Sequence, residues 1–162
     1  MRRPEILRNW AALPLCLALA GTGALAQSTH DVFVVHQRTD SAAANAAHMF
    51  RFEPDILVIA PGDTVTFLNS LGSHTVMSQK GLWPEAVETF HIRGQAEADV
   101  VFDTPGLYGI TCARHGRYGM SMVIAVGDDG VAAAAAVDAD DIPATDLARA
   151  AYDRQLQEIA AN

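Results

Sequence analysis

The chain has 162 residues, half of them hydrophobic, and carries 11 Lys plus Arg against 19 Asp plus Glu, a formal net charge of −8. That length suits one domain around one core. The acidic balance argues against nucleic acid as a partner, because binding phosphate needs a basic footprint.

In chain order, the first stretch reads as an address. Arg2, Arg3 and Arg8 form a basic region, Trp10 to Leu19 an apolar one, and Ala24-Leu25-Ala26 a small-x-small cleavage site, so residues 1–26 are a predicted signal peptide and the mature chain starts near Gln27. The apolar run is too short for a membrane helix, and the mature chain is expected to have no stable membrane insertion. Arg2-Arg3 leaves the general and the twin-arginine export routes both open. Cys16 follows bulky Leu15, which argues against a lipid anchor. Without the leader, 8 basic and 18 acidic residues remain, a charge of −10, and Cys112 is the only cysteine. A single thiol cannot close an internal disulfide, and an odd thiol in an oxidising compartment calls for a reason, of which metal ligation is one.

From Asp31 to Val126, short apolar or alternating runs are broken by turn residues, the pattern of an all-β sandwich or barrel. The runs are Val32–Val35, Met49–Phe52, Ile56–Ile59, Thr64–Leu68, His74–Met77, Ala98–Phe102, Leu107–Thr111 and Met120–Val126, about eight strands. Pro61-Gly62-Asp63 and Thr104-Pro105-Gly106 place Pro and Gly where tight turns want them. Ser41 to Ala47 reads either as a loop or as a short helical insertion. After Gly127 the composition shifts to Ala and Asp. Thr145 can cap a helix from Asp146 with Leu147, Ala151, Leu156 and Ile159 roughly along one face, while Val131 to Ala139 forms another helix or a linker.

The densest chemical signal is Cys112-Ala-Arg-His115-Gly-Arg-Tyr-Gly-Met120, a thiolate, an imidazole and a thioether on one segment between two strands. If that segment is a loop, the three can converge on one ion. Two His, one Cys and a long axial Met make a blue-copper electron-transfer site, in which soft sulfur suits Cu(I) and imidazole suits Cu(II). The second imidazole must come from elsewhere, and His74 at the start of a strand is the natural candidate. Met122, two residues beyond Met120 on the same apolar segment, is the rival axial donor. His30, His36, His48 and His91 read as ordinary polar residues.

Taken together, Phe52-Glu53-Pro54, Ala60-Pro61-Gly62-Asp63-Thr64-Val65-Thr66-Phe67, Gly72-Ser73-His74, Thr104-Pro105-Gly106-Leu107-Tyr108-Gly109, Cys112-x2-His115-x4-Met120 and Val126-Gly127-Asp128 resemble the cupredoxin family, and the pseudoazurins within it. The resemblance covers nearly all of residues 31 to 160. It implies an eight-stranded Greek-key β-sandwich with a helical C-terminal extension, divided as a cupredoxin domain over residues 27–127 and an extension over 128–162. It implies one type 1 copper ion held by His74, Cys112, His115 and Met120. It also implies a periplasmic monomer, not an enzyme, shuttling single electrons between redox proteins such as a cytochrome and a reductase of the nitrite-reductase type.

Three features depart from that pattern. Thr75 stands where pseudoazurins usually have an Asn that ties the two ligand segments together. Arg114 stands where a Pro usually precedes the second His, which adds a charge near the site. Pseudoazurins often ring the copper end with lysines, whereas this mature chain is acidic overall. Lys80, Arg93, Arg114 and Arg117 are the candidates for a local basic patch, since 8 of the acidic residues lie in the tail after Gly127. Trp83 is read either as part of an apolar docking face near the metal or as core. A copper-delivery or storage protein on the same fold is the alternative function. An oxidase or reductase would need a second metal site, and the chain has no His-x-His pair to build one.

Overall fold

A computed structural model describes residues 26–36 and 49–161; residues 1–25, the Ser41–Ala47 segment and His48 lie outside the described residues. Seven strands run in the order β1 (Thr29–His36), β2 (Phe50–Glu53), β3 (Ile56–Ile59), β4 (Asp63–Ser78), β5 (His91–Phe102), β6 (Gly106–Thr111) and β7 (Ser121–Val126), followed by helices α1 (Gly127–Ala134) and α2 (Asp146–Ala160). They form one mixed sheet ordered β2-β1-β4-β6-β7-β3, with β5 also paired to β4. Strand β1 runs parallel to β4 and β3 parallel to β7, while the other pairs are antiparallel. Among the described residues no helix is long and apolar enough to cross a membrane.

The runs Thr64–Leu68 and His74–Met77, expected as two strands, are one 16-residue strand. The register against β5 shifts between Ser70 and Thr75, where Asn69 (φ 67°) and Gly72 (φ 66°) take left-handed backbone. Asn and Gly are the residues that tolerate this region, and such an irregularity re-aims the side chains beyond it. The first half of β4 pairs with β1 and β5, and the second half with β5 and β6. His74 stands just past the irregularity, on the part of β4 that turns toward β6.

Strand β7 explains why the chain carries helices at all. Its six residues, Ser121-Met122-Val123-Ile124-Ala125-Val126, are all buried, although side chains of a strand alternate between two faces. Met122, Ile124 and Val126 point into the sandwich core with Phe52, Phe67, Tyr108 and Ile110. Val123 and Ala125 point the other way, into a second apolar cluster with Ala134, Ala148, Tyr152, Leu156 and Ile159 of the two helices. An outer face that is apolar must be covered, and α1 and α2 cover it. Thr145 caps α2 as its composition predicts, its hydroxyl accepting from the Ala148 amide at 3.4 Å.

The other end of the barrel is fastened through Asp63, whose carboxylate is buried and accepts from the His30 ring (2.9 Å), the Ser28 amide (2.8 Å) and the Ala60 amide (3.1 Å). The His30 hydrogen bond first, then the Ser28 amide, holds its carboxyl below the usual carboxylate range. His30 therefore serves to dock β1 onto β4.

Candidate metal centre

Strand β6 ends at Thr111 and β7 begins at Ser121, so Cys112 to Met120 is the loop between two paired strands. The loop is folded back on itself by its own backbone: the Gly116 amide donates to the Cys112 carbonyl (2.7 Å), and the Tyr118 and Met120 amides both donate to the His115 carbonyl (2.9 and 3.3 Å). Gly116 must be glycine here, because a Cβ at that position would collide with the Thr111 hydroxyl. Gly119, at φ 92°, closes the short helical turn Gly116–Tyr118 in a conformation that favours glycine.

This folding brings His74, Cys112 and His115 together. One donor atom of each lies within 4.8 Å of the others, and all three residues are buried. His115 Nδ1 is 3.3 Å from His74 Nδ1 and 3.6 Å from Cys112 Sγ. Metal bonds of about 2.0 Å to nitrogen and about 2.3 Å to thiolate sulfur, opened near the tetrahedral angle, leave nitrogens about 3.3 Å apart and nitrogen about 3.5 Å from sulfur. The two separations made by His115 fit one first-row ion. Among the described residues this is the one group of His, Cys and carboxylate donors placed to hold a metal. Met120 sits at the exit of the loop, fully buried, and Met122 is equally buried two residues on within β7. His91 is exposed on β5 and His30 is committed to Asp63, so neither joins the cluster.

The surrounding shell orients the donors. The Thr75 hydroxyl accepts from the Ala113 amide (2.8 Å) and donates to Cys112 Sγ (3.8 Å), so it ties the β4 donor segment to the β6–β7 loop through one oxygen. The expected link between the two ligand segments therefore exists, made by Thr in place of Asn. Phe50 of β2 lies flat on the His115 ring, with centroids 3.9 Å apart and planes 5° from parallel, which fixes the plane of that imidazole. Nothing in the Met49–Phe52 run marks Phe50 for this role; it emerges only when β2 is placed beside the loop.

On one flank of the cluster, Ser73, His91, Arg93, Arg114 and Arg117 line an open cleft of about 540 Å³. Lys80 and His91 border a second cleft of about 510 Å³, shared with Trp83. Trp83 itself packs edge-on against Phe90 and Tyr108, at 5.5 and 4.8 Å, and its indole N–H donates to the Val87 carbonyl (3.1 Å). It packs against the sandwich core.

Two imidazoles and a thiolate buried together at one end of a β-sandwich are the donor set and placement of a cupredoxin-class site. Residues 38–127 match the family of copper-binding proteins described as plastocyanin/azurin. A Rhizobium leguminosarum protein of pseudoazurin type is 39% identical over 111 residues, covering 68% of each chain, and the pseudoazurin of Paracoccus pantotrophus is 34% identical over 118 residues, 73% of this chain and 75% of its own. Among solved structures, a Sinorhizobium pseudoazurin superposes with a TM-score of 0.67 at 30% identity over 82% of this chain and 97% of its own. That of Methylobacterium extorquens AM1 gives 0.63 at 26%, over 81% and 98%. The chain belongs to the plastocyanin/azurin family of copper-binding proteins, and within it is pseudoazurin-like, with copper as its cofactor.

Proposed function

We propose that this protein is a periplasmic single-electron carrier in which His74, Cys112, His115 and Met120 hold one type 1 copper ion. The observation that carries the reading is the pair of spacings, 3.3 Å between the two Nδ1 atoms and 3.6 Å from Nδ1 to Sγ, among buried side chains. The ion supplies a one-electron Cu(II)/Cu(I) couple. The protein's part is to keep the site unchanged between charge states. His74 and His115 are each 5% exposed, Cys112 1% and Met120 0%, so little water has to reorganise when the charge changes. Phe50 and Thr75 hold the imidazole plane and the sulfur. Met120 rather than Met122 would supply the fourth donor, because it belongs to the loop, where the backbone has just been turned by Gly119.

The partner reading follows from charge. Of the basic residues in the described part of the mature chain, Arg51, Arg149 and Arg154 are each paired with a carboxylate. Lys80, Arg93, Arg114 and Arg117 have no carboxylate at ion-pair distance among the described residues, in a chain with a surplus of acids. Arginines without carboxylate partners beside the donor cluster suit a redox protein with an acidic docking face, such as a cytochrome or a nitrite-reductase-type reductase, and they steer its approach. Residues 1–26 are the export leader, 27–127 the copper domain and 128–162 its helical extension; the carrier acts as a monomer and has no catalytic activity of its own.

The test is the optical spectrum of the copper-loaded mature protein. An intense blue charge-transfer band that bleaches on reduction and is abolished in Cys112→Ser is expected; a colourless copper-loaded protein refutes the carrier.

A further inference from the structure

The C-terminal helix does more than cover β7. Two of its residues and its N-cap reach the backbone of the β6–β7 segment at three points that bracket the donor loop. At the entrance, the Tyr152 hydroxyl donates to the Ile110 carbonyl at 2.8 Å. At the apex, the Thr145 hydroxyl donates to the Arg117 carbonyl at 3.0 Å. At the exit, the Gln155 amide donates to the Ser121 carbonyl at 3.0 Å, and its oxygen accepts from the Ser121 hydroxyl at 3.3 Å. The anchors fall at residues 110, 117 and 121, and the donors Cys112, His115 and Met120 lie between them. Residues 145, 152 and 155 are seven and three apart, which places them along one side of a helix.

We propose that Tyr152, Gln155 and Thr145 are positioning residues for the copper loop, so that α2 sets the separation of the Cys112, His115 and Met120 donors. The proposal rests on the copper reading given above.

Four features separate this from ordinary packing. Tyr152 and Gln155 are buried polar groups, 0% and 1% exposed, and an apolar residue of similar volume would cover β7 as well without needing partners. Their hydrogen bonds go to main-chain carbonyls of the loop stems, which fix backbone position. Gln155 is itself held by Asp55 beside β3, its Nε2 lying 3.0 Å from Asp55 Oδ2, so the exit anchor is tied to the sheet as well as to the helix. Thr145 uses both capacities of one hydroxyl, accepting from the Ala148 amide to start the helix and donating to Arg117. Formation of the helix and placement of the loop apex are therefore one event. Burial pushes the Tyr152 phenol far above its ordinary range, which keeps it protonated and donating.

The test uses the full mature chain with and without copper. Hydrogen exchange is read at the Gly116, Tyr118, Gly119 and Met120 amides, all hydrogen-bonded within the loop, and at the paired β4–β5 amides. Tyr152→Phe and Gln155→Leu remove anchors while keeping bulk, and Ile159→Val trims the same helix where it makes no polar contact with the loop. The expected result is exchange at the four loop amides about fivefold faster for each lost hydrogen bond, with β4–β5 amides changed no more than in Ile159→Val. In the copper-loaded anchor variants the ratio of the charge-transfer bands shifts, and in the Ile159→Val control it does not. Acceleration spread evenly over loop and sheet, or none at all, overturns the proposal, as does an unaltered spectrum in both anchor variants. The exchange arm without copper stands whether or not the protein turns blue, so a failure of the copper reading is seen separately.

Discussion

The two flanks of the donor cluster are built by opposite means. On the flank of β6, β7 and α2, every residue of β7 is buried and polar side chains of the helix are spent on loop carbonyls. On the flank of β4 and β5, most of β5 is exposed, and three arginines and a histidine line an open cleft with no carboxylate paired to the arginines among the described residues. One flank keeps the donors still and the other meets the outside. An electron carrier needs both, because a rigid site lowers the cost of changing charge and an unpaired charged surface speeds encounter.

The comparison breaks if the two flanks respond alike to truncation. Leu156→Ala, in the cluster under α2, is expected to lower unfolding free energy by about 2–4 kcal/mol in a denaturant titration. Val101→Ala on β5, where the side chain is 52% exposed, is expected to change it by no more than about 0.5 kcal/mol. Equal losses would mean that the helical flank is not the stabilising one.

Charge reversal sharpens the contrast from the other side. Arg93→Glu with Arg117→Glu should leave the copper spectrum intact and slow electron transfer to an acidic redox partner by about tenfold or more at low ionic strength, with the gap to the parent protein closing as salt rises. Rates that ignore both the substitutions and the salt would remove the open flank from the docking surface.

The smallest effect is expected where the flanks meet. Thr75 joins them through one hydroxyl. A donor to the thiolate sulfur favours the more electron-rich reduced state, so Thr75→Val should lower the reduction potential. A net hydrogen-bond contribution of about 1 kcal/mol corresponds to about 40 mV for one electron. A potential measured by voltammetry that stays put or rises would show that the hydroxyl serves only the Ala113 amide.

Much of this was legible from the residues. Cys112 and His115 share one short segment, so their spacing brings them together once both flanks are strands; His74 was the candidate at the start of a strand, and the resemblance to the cupredoxins singled it out from the other histidines. The cap at Thr145 and the helix after it were equally readable, since capping and amphipathic spacing are local. Joining two expected strands into β4 was not, because the bend at Asn69 and Gly72 looks like punctuation until pairing with β5 carries the strand through it. Trp83 could be placed only by finding Phe90 and Tyr108 around it.

The amino-acid order by itself determined the donor chemistry: the residue types, their spacing, and the Cys112 thiol that gives the motif its meaning. Tertiary structure alone decided what holds those donors. Phe50 lies 65 positions from His115, and Tyr152 and Gln155 lie more than 30 from the carbonyls they bind. No local pattern encodes contacts at such separations; they arise because an all-buried β7 requires a helix on its outer face, and that helix then lies within hydrogen-bond reach of the loop.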